Sequence, residues 1–284
     1  MFHALLGFKK IKMKESIKVE VLLSTMHRED TSIVNKMNIA GDCLIINQTS
    51  FERQEVLNDE TNHRTIRFFS YNERGLSISR NHAIKNSIGD VCLFADDDLV
   101  YEDNYIDIVR EAYEEHGDAD IIIFEVLSKN EKRYESKIGN VFCKIGYLKS
   151  MKVASFKISF KRKSVVDNDL HFDQLFGAGS KYNSGEENIF LFDCLKKKLK
   201  VYYLPTTIAT VSHETSTWFK GFNEQYFVSK GAFGRRMFNS LDFIYILQFA
   251  IRKYKIYSQE TSFFSALKFM FEGRSQYAKS ISKK

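Results

Sequence analysis

Residues Val91–Val100 read Val-Cys-Leu-Phe-Ala-Asp-Asp-Asp-Leu-Val, an apolar run that stops at three consecutive aspartates. A continuous apolar run of this length reads as a buried strand. Asp96, Asp97 and Asp98 cannot belong to its core, because burying unpaired charge is costly. Adjacent carboxylates repel one another unless a cation sits among them, and hard divalent cations favour carboxylate oxygens. Alternate side chains share a face on a strand, so Asp96 and Asp98 can aim at one spot while Asp97 turns away. One reading is a metal site at the carboxyl edge of an α/β sheet. The other is a solvated acidic turn that caps the next helix.

Three further constellations could take part in such chemistry. Gly75-Leu-Ser-Ile-Ser-Arg-Asn81 precedes an apolar helical pattern. Ser77 or Ser79 could cap that helix, and Gly75 permits a tight turn. Arg80 in the first turn would make the helix start an anion site that suits a diphosphate, or else is a surface arginine pairing with a nearby acid. Gly177–Asn188 is a glycine-spaced loop running into a helix, with Glu186 and Glu187 at the helix start. The helix dipole favours carboxylates there; alternatively, one of them is a general base that takes a proton from an acceptor hydroxyl. His213 can complete a Mn²⁺ or Mg²⁺ site built otherwise from carboxylate and phosphate oxygens. Trp218, the single tryptophan, suits stacking on a sugar face or partial burial against the core.

These residues need a scaffold, and the pattern supplies one. Lys18–Ser24, Asp42–Asn47, Thr65–Phe69, Val91–Ala95, Ala119–Val126 and Lys200–Leu204 read as strands. Gly75–Asn86 reads as a loop entering a helix, and Asn104–His116 and Glu187–Lys198 as helices. Strands alternating with helices indicate an open α/β sheet. From about Lys220 aromatic and basic residues dominate, with helices expected at Asn239–Tyr254 and Thr261–Phe271. The organisation expected is therefore residues 1–219 as an α/β unit and 220–284 as a helical extension. The extension pairs Lys220, Lys230, Arg235, Arg236, Arg252, Lys253 and Lys255 with Phe222, Phe227, Phe233, Phe243 and Phe249. It would touch the inner leaflet of a membrane, or cover the acceptor site, or form a homodimer interface.

Composition narrows the classes. The chain has 284 residues, a net charge of +6 and four cysteines that form no CxxC pair. Such cysteines point to a reducing compartment without a disulfide framework. Phe2–Phe8 is too short for a secretory signal, and no apolar run reaches the roughly 18 residues of a spanning helix. The expected place is the cytoplasm, at most at a membrane surface. The basic residues form no nucleic-acid motif.

In this order the motifs resemble the family 2 glycosyltransferases of the GT-A fold, of the bacterial capsule, exopolysaccharide or O-antigen type. The resemblance runs from about Val19 to Trp218. It rests on Leu23-Ser24-Thr25, Ile46-Asn47-Gln48, Gly75–Asn81, Asp96–Asp98, Phe172–Gly177, Gly185-Glu186-Glu187 and His213. It implies a mixed α/β sheet flanked by helices and a nucleotide-diphosphate sugar donor, UDP-hexose above others. By resemblance Ser24, Thr25 and Asn47 hold the base, although many members carry aspartate at the last position. Arg80 and Asn81 lie near the nucleotide, with Asp97 on the donor side. Asp96 meets ribose or donor sugar, and Asp98 with His213 holds Mn²⁺ or Mg²⁺. The base would be Glu187, where the family usually has aspartate, or Glu186 beside it. Gly179 and Trp218 would face a saccharide acceptor, lipid-linked in such enzymes. The reaction implied is a single inverting displacement. Asp96-Asp-Asp-Leu-Val100 also fits the nucleophile motif of haloacid-dehalogenase phosphatases, although that motif usually opens its fold. A non-catalytic sugar- or nucleotide-binding protein on the same fold is the third reading.

Overall fold

The computed structural model describes residues 16–128, 138–212, 219 and 221–282. In chain order the strands are β1 (Val19–Met26), β2 (Asp42–Gln48), β3 (Arg53–Asp59), β4 (Arg64–Tyr71), β5 (Val91–Asp96), β6 (Leu99–Tyr101), β7 (Ile121–Ser128), β8 (Cys143–Lys144), β9 (Ile158–Lys161) and β10 (Val201–Val211). They form one sheet in the order β3-β4-β2-β1-β5-β9-β7-β10-β6, with β8 also on β10. β4, β2, β1 and β5 run parallel. β9 lies antiparallel between β5 and β7, and β6 closes the far edge antiparallel to β10. The sheet is therefore mixed.

The helices are α1 (Ile33–Lys36), α2 (Leu76–Asn86), α3 (Tyr105–Glu115), α4 (Tyr147–Ser150), α5 (Arg162–Val166), α6 (Glu186–Lys196), α7 (Glu224–Phe238), α8 (Asp242–Tyr257) and α9 (Phe263–Ile281). Both faces of the sheet are covered. Val21 and Leu23 of β1 pack in a cluster with Tyr105, Val109 and Tyr113 of α3. Leu22, from the opposite face, joins Ala83 and Ile84 of α2 and Phe190 and Leu191 of α6. Burial on both faces is why the central strands read as unbroken apolar runs rather than alternating ones. All four cysteines are free, and Cys43, Cys92 and Cys194 are buried among these side chains. No helix among the described residues is long and apolar enough to cross a membrane.

Several short elements (β6, β8, β9, α1, α4 and α5) are not expected from the sequence, α9 runs to Ile281 rather than Phe271, and three further departures have a clear physical reason. β10 continues to Val211 rather than stopping at Leu204. Pro205 falls inside it, and the pairing with β7 shifts register between Tyr203 and Thr207. Proline has no N–H for the ladder, so the strand survives there only as an irregularity. β3 forms a hairpin with β4 at the sheet edge, and its largely exposed, mixed residues carry little periodic signal. Helix α7 is the third departure. Its interior holds Gly231 and Gly234, poor helix formers.

Gly231 has a packing reason. A Cβ there would lie 1.8 Å from the Met270 carbonyl oxygen of α9, and one on Gly273 would lie 1.9 Å from the Val228 carbonyl oxygen of α7. The two helices touch backbone to backbone at both glycines. A third apolar cluster then joins Val228, Phe233, Met237 and Tyr277 of the C-terminal helices to Phe176, Tyr182 and Ile189 of the sheet unit. Gly231→Ala is expected to cost at least about 2 kcal/mol, through forced separation of packed helices. Gly117→Ala, with nothing within 4 Å, is the control, and urea denaturation of both variants checks the difference.

Candidate active site

The parallel strands bring their carboxyl ends into one row. Ser24 pairs in register with Ile46 and Asp96, Thr25 with Asn47, and Asn47 with Ser70. β5 ends at Asp96, and Asp97–Asp98 form a turn into β6. Strand alternation therefore stops one residue into the acidic triplet. Asp97 does point apart from Asp96, but toward Arg28, which donates from Nη2 to its Oδ2 at 3.1 Å. Thr25 Oγ1 donates to the same oxygen at 2.6 Å. Arg28 in turn donates through Nε to Thr25 Oγ1 at 3.2 Å.

Asn47 is fully buried and committed to this segment. Its amide donates to the Arg28 carbonyl at 2.9 Å and to Ser70 Oγ at 3.0 Å, and its oxygen accepts from the Arg28 N–H at 2.9 Å. In this arrangement Asn47 shapes the turn after β1. Next to it, Gln48 accepts from the Gly75 N–H at 2.7 Å. That bond pins the entry to α2, whose cap is Gly75 at φ 125°. Ser77 and Ser79, expected as caps, are buried within the first turn of the helix, because it starts at Leu76 with Gly75 as its cap. Ser77 Oγ donates to the Phe176 carbonyl at 2.6 Å. Ser79 Oγ donates to Ser24 Oγ at 2.9 Å. Asn81 exchanges two hydrogen bonds with the Phe172 backbone, at 2.9 and 2.7 Å. The start of α2 is thus fastened to the 172–177 segment, nearly a hundred residues away.

Arg80 is the centre of the assembly. It is 1% exposed, so the surface-arginine reading does not hold. Its Nη2 donates to Asp96 Oδ1 at 2.9 Å and to Ser155 Oγ at 2.6 Å, and its Nη1 donates to Glu186 Oε1 at 3.2 Å. The guanidinium also stands over the Phe172 ring, 5.4 Å from its centroid. Burial works against its charge, but Asp96, Glu186 and Glu187 outweigh burial and raise its pKa above the ordinary value. One fork thereby ties the end of β5 to the first turn of α6.

α6 begins with Gly185 at φ 100°, where a Cβ would lie 2.6 Å from Phe233. Glu186 is buried against Arg80, whereas Glu187 is only partly buried. Desolvation, then the charge of Glu186, push the Glu187 carboxyl up to about 8. Lys230 of α7 approaches the same turn, donating to Ser184 Oγ at 3.2 Å. Burial lowers its pKa, while Glu187 and Glu186 pull the other way. Gly179, at φ 76°, sits in the exposed part of the loop before α6.

Among the described residues, no three or more His, Cys, Asp and Glu side chains converge into a metal cage. Asp96 and Asp97 are engaged by arginines. Asp98 stands where the turn meets β10, its carbonyl accepting from the Ser212 N–H at 3.1 Å. His213 and Trp218 lie outside the described residues. A single hard carboxylate suits a Mg²⁺ or Mn²⁺ ion that takes its other ligands from a bound diphosphate and water. A cavity of about 540 Å³ lined by Glu29, Asp30, Arg53 and Leu57 lies along β3 and shares no residue with this edge. Arg28, Ser155 and Lys230 are site residues that carried no motif signal, since each is placed only by tertiary packing.

Removing Arg80 would strand Glu186 and Asp96 without a counter-charge. Arg80→Met is expected to cost about 3–5 kcal/mol, and Arg80→Lys to recover little, because an ammonium cannot span both carboxylates as a fork does; chemical denaturation reads both. Glu187 gives a pH signature. Its folded pKa lies above the 4.5 of the free side chain, so its contribution favours folding below that pH and is lost as pH rises through about 8. Glu187→Gln should therefore gain stability relative to wild type across that window and gain none below it, as measured by melting temperature against pH.

Residues 42–179 match the family model described as Glycosyl transferase family 2, a segment that includes the aspartates and Arg80 but stops short of Glu186. No curated protein matches the chain. Among solved structures, the chain is similar to S. aureus TarS 1–349, with a TM-score of 0.62 and 13% identity over 90% of this chain and 81% of that one. It is equally similar to TarS 1–349 in complex with UDP-GlcNAc, at 14% identity over 86% and 74% of the two chains and a TM-score of 0.62. The complex of TarS 1–349 with UDP also matches, at 13% identity over 90% and 81% and the same TM-score. The architecture is the GT-A fold, with a helical C-terminal region.

Proposed function

We propose that this chain is an inverting, metal-dependent glycosyltransferase. It would move a hexose from a UDP donor to a hydroxyl of a growing, lipid-linked bacterial surface oligosaccharide. The observation that carries the reading is the Arg80 fork. By binding Asp96 and Glu186 at once, it sets the acidic edge of the sheet opposite the first turn of α6. A sugar held by its diphosphate at that edge would present its anomeric carbon toward Glu187. The family match of residues 42–179 and the likeness to a protein crystallised with UDP-GlcNAc support the same reading.

Each residue has a part in the reaction. Glu187, rather than Glu186, is the base, because Glu186 is spent on Arg80 while Glu187 is more exposed. A carboxyl near pKa 8 is a stronger base than an ordinary one once ionised, which matches the task of taking a hydroxyl proton near neutral pH. The deprotonated acceptor oxygen attacks the anomeric carbon from the side opposite the nucleotide, and the bond to the diphosphate breaks. No covalent sugar–enzyme intermediate forms. Ser24, Thr25 and Asn47 shape the nucleotide side, through the turn that Arg28 closes over Asp97. Asp98 with His213 would hold a divalent cation, which when bound supplies charge neutralisation for the departing diphosphate. Gly179 and Trp218 would serve acceptor recognition. The phosphatase alternative needs Asp96 as a free nucleophile, whereas its carboxylate is ion-paired to a buried guanidinium at 2.9 Å.

The test is a thermal-shift series with UDP, GDP, CDP and ADP, each with and without Mn²⁺. A ligand at about 100 times its Kd stabilises the native state by about 2.7 kcal/mol. UDP is expected to raise the melting temperature only with Mn²⁺, and Asp98→Ala to abolish that shift on protein that still folds. Glu187→Gln should keep the shift but reduce turnover by about 10²–10⁴-fold. Absence of a shift with every nucleotide, on folded protein, would reject the transferase reading.

A further inference from the structure

Helix α8 is apolar on two sides. Ile246, Phe249, Ala250 and Tyr257 are buried against its neighbours. The opposite face carries Ile244, Leu247, Ile251 and Tyr254 at helical spacing, all exposed, with Ile251 at 66%. A helix that is apolar all round is normally covered on every side. The patch continues beyond α8. Tyr254 meets Phe263 at 5.9 Å between ring centroids, and Phe263 meets Phe264 at 5.7 Å, with Phe264 80% exposed at the start of α9. The exposed charges on α8 itself are basic, while the exposed acids nearby, Glu260 and Glu272, belong to the α8–α9 turn and to α9. Arg252 and Lys255 stand exposed on α8, and Lys268 on α9. The only acid on α8, Asp242, is fully buried between Arg235 and Arg274.

We propose that this face docks on an anionic lipid surface. An interfacial helix lays its apolar side into the headgroup boundary while flanking lysines and arginines meet acidic lipids. The same stripe is poorly suited to a second copy of the chain. A two-fold contact puts a patch against itself and would set Arg252 and Lys255 of both copies together with no exposed α8 acid to offset them. The sheet unit would be held at a fixed aspect to the membrane, because α7 packs on both α8 and the loop before α6. The surface is separate from the donor edge, so vesicle binding and nucleotide binding can be lost independently.

The experiment is flotation of the full chain with vesicles of phosphatidylcholine alone or with phosphatidylglycerol added. Binding is expected to the anionic vesicles, and to weaken with salt. Ile244→Ser with Ile251→Ser, both at exposed positions, should reduce binding at least about tenfold with an unchanged melting temperature. Arg252→Gln with Lys255→Gln should reduce it about fivefold per charge. Two outcomes would overturn the proposal. One is binding that neither double variant weakens. The other is no vesicle binding, with a concentration-dependent dimer that the isoleucine variant dissociates, which would assign the face to a second copy.

Discussion

A guanidinium buried to 1% exposure has to be neutralised where it stands, and that requirement organises this molecule. Arg80 sits on α2, between β4 and β5, yet its partners come from three other places: the end of β5, the segment before β9 and the first turn of α6. Each must be delivered accurately, because the desolvation cost of a misplaced charge in the interior is several kcal/mol. The hydrogen bonds of Ser77, Ser79 and Asn81, on the same helix, read as the scaffolding for that delivery. They fix α2 to β1 and to the 172–177 segment.

The consequence for electrostatics is a division of labour between neighbouring glutamates. Glu186 satisfies the arginine, and in doing so places a negative charge and a desolvating wall beside Glu187. The raised Glu187 pKa follows from burial and from that neighbour. A carboxylate spent on an ion pair thus helps to set the protonation of the residue beside it.

Much of the frame was legible from the chain. The runs at Val19, Asp42, Thr65, Val91 and Ile121 announced strands because both sheet faces are covered. The acidic triplet, the Gly75 turn and the paired glutamates stood out because each breaks an apolar pattern at an element boundary. What stayed hidden depended on distant partners. Helix α7 looks unhelical until α9 supplies the backbone that its Gly231 must approach. β10 looks finished at Pro205 until the register shift against β7 accommodates it. Arg80 resembles any exposed arginine of an amphipathic helix, and only tertiary packing reveals that its charge is spent internally. The bond network around Asn47 likewise has no local signature.

The C-terminal helices have a consequence for synthesis. Arg236 of α7 bonds Asp173 at 3.0 Å and reaches Asp193 of α6, and the Tyr277 hydroxyl of α9 donates to Asp173 at 2.9 Å. A chain emerging from the ribosome amino end first therefore has its sheet strands and acidic turn in hand while the segment before α6 still lacks its outer wall. Phe176, Tyr182 and Ile189 gain their cover in two stages, first from Val228, Phe233 and Met237 of α7 and then from Tyr277 of α9. That apolar seam is thus closed last, and a nascent chain stalled within α7 would leave it exposed and prone to aggregate.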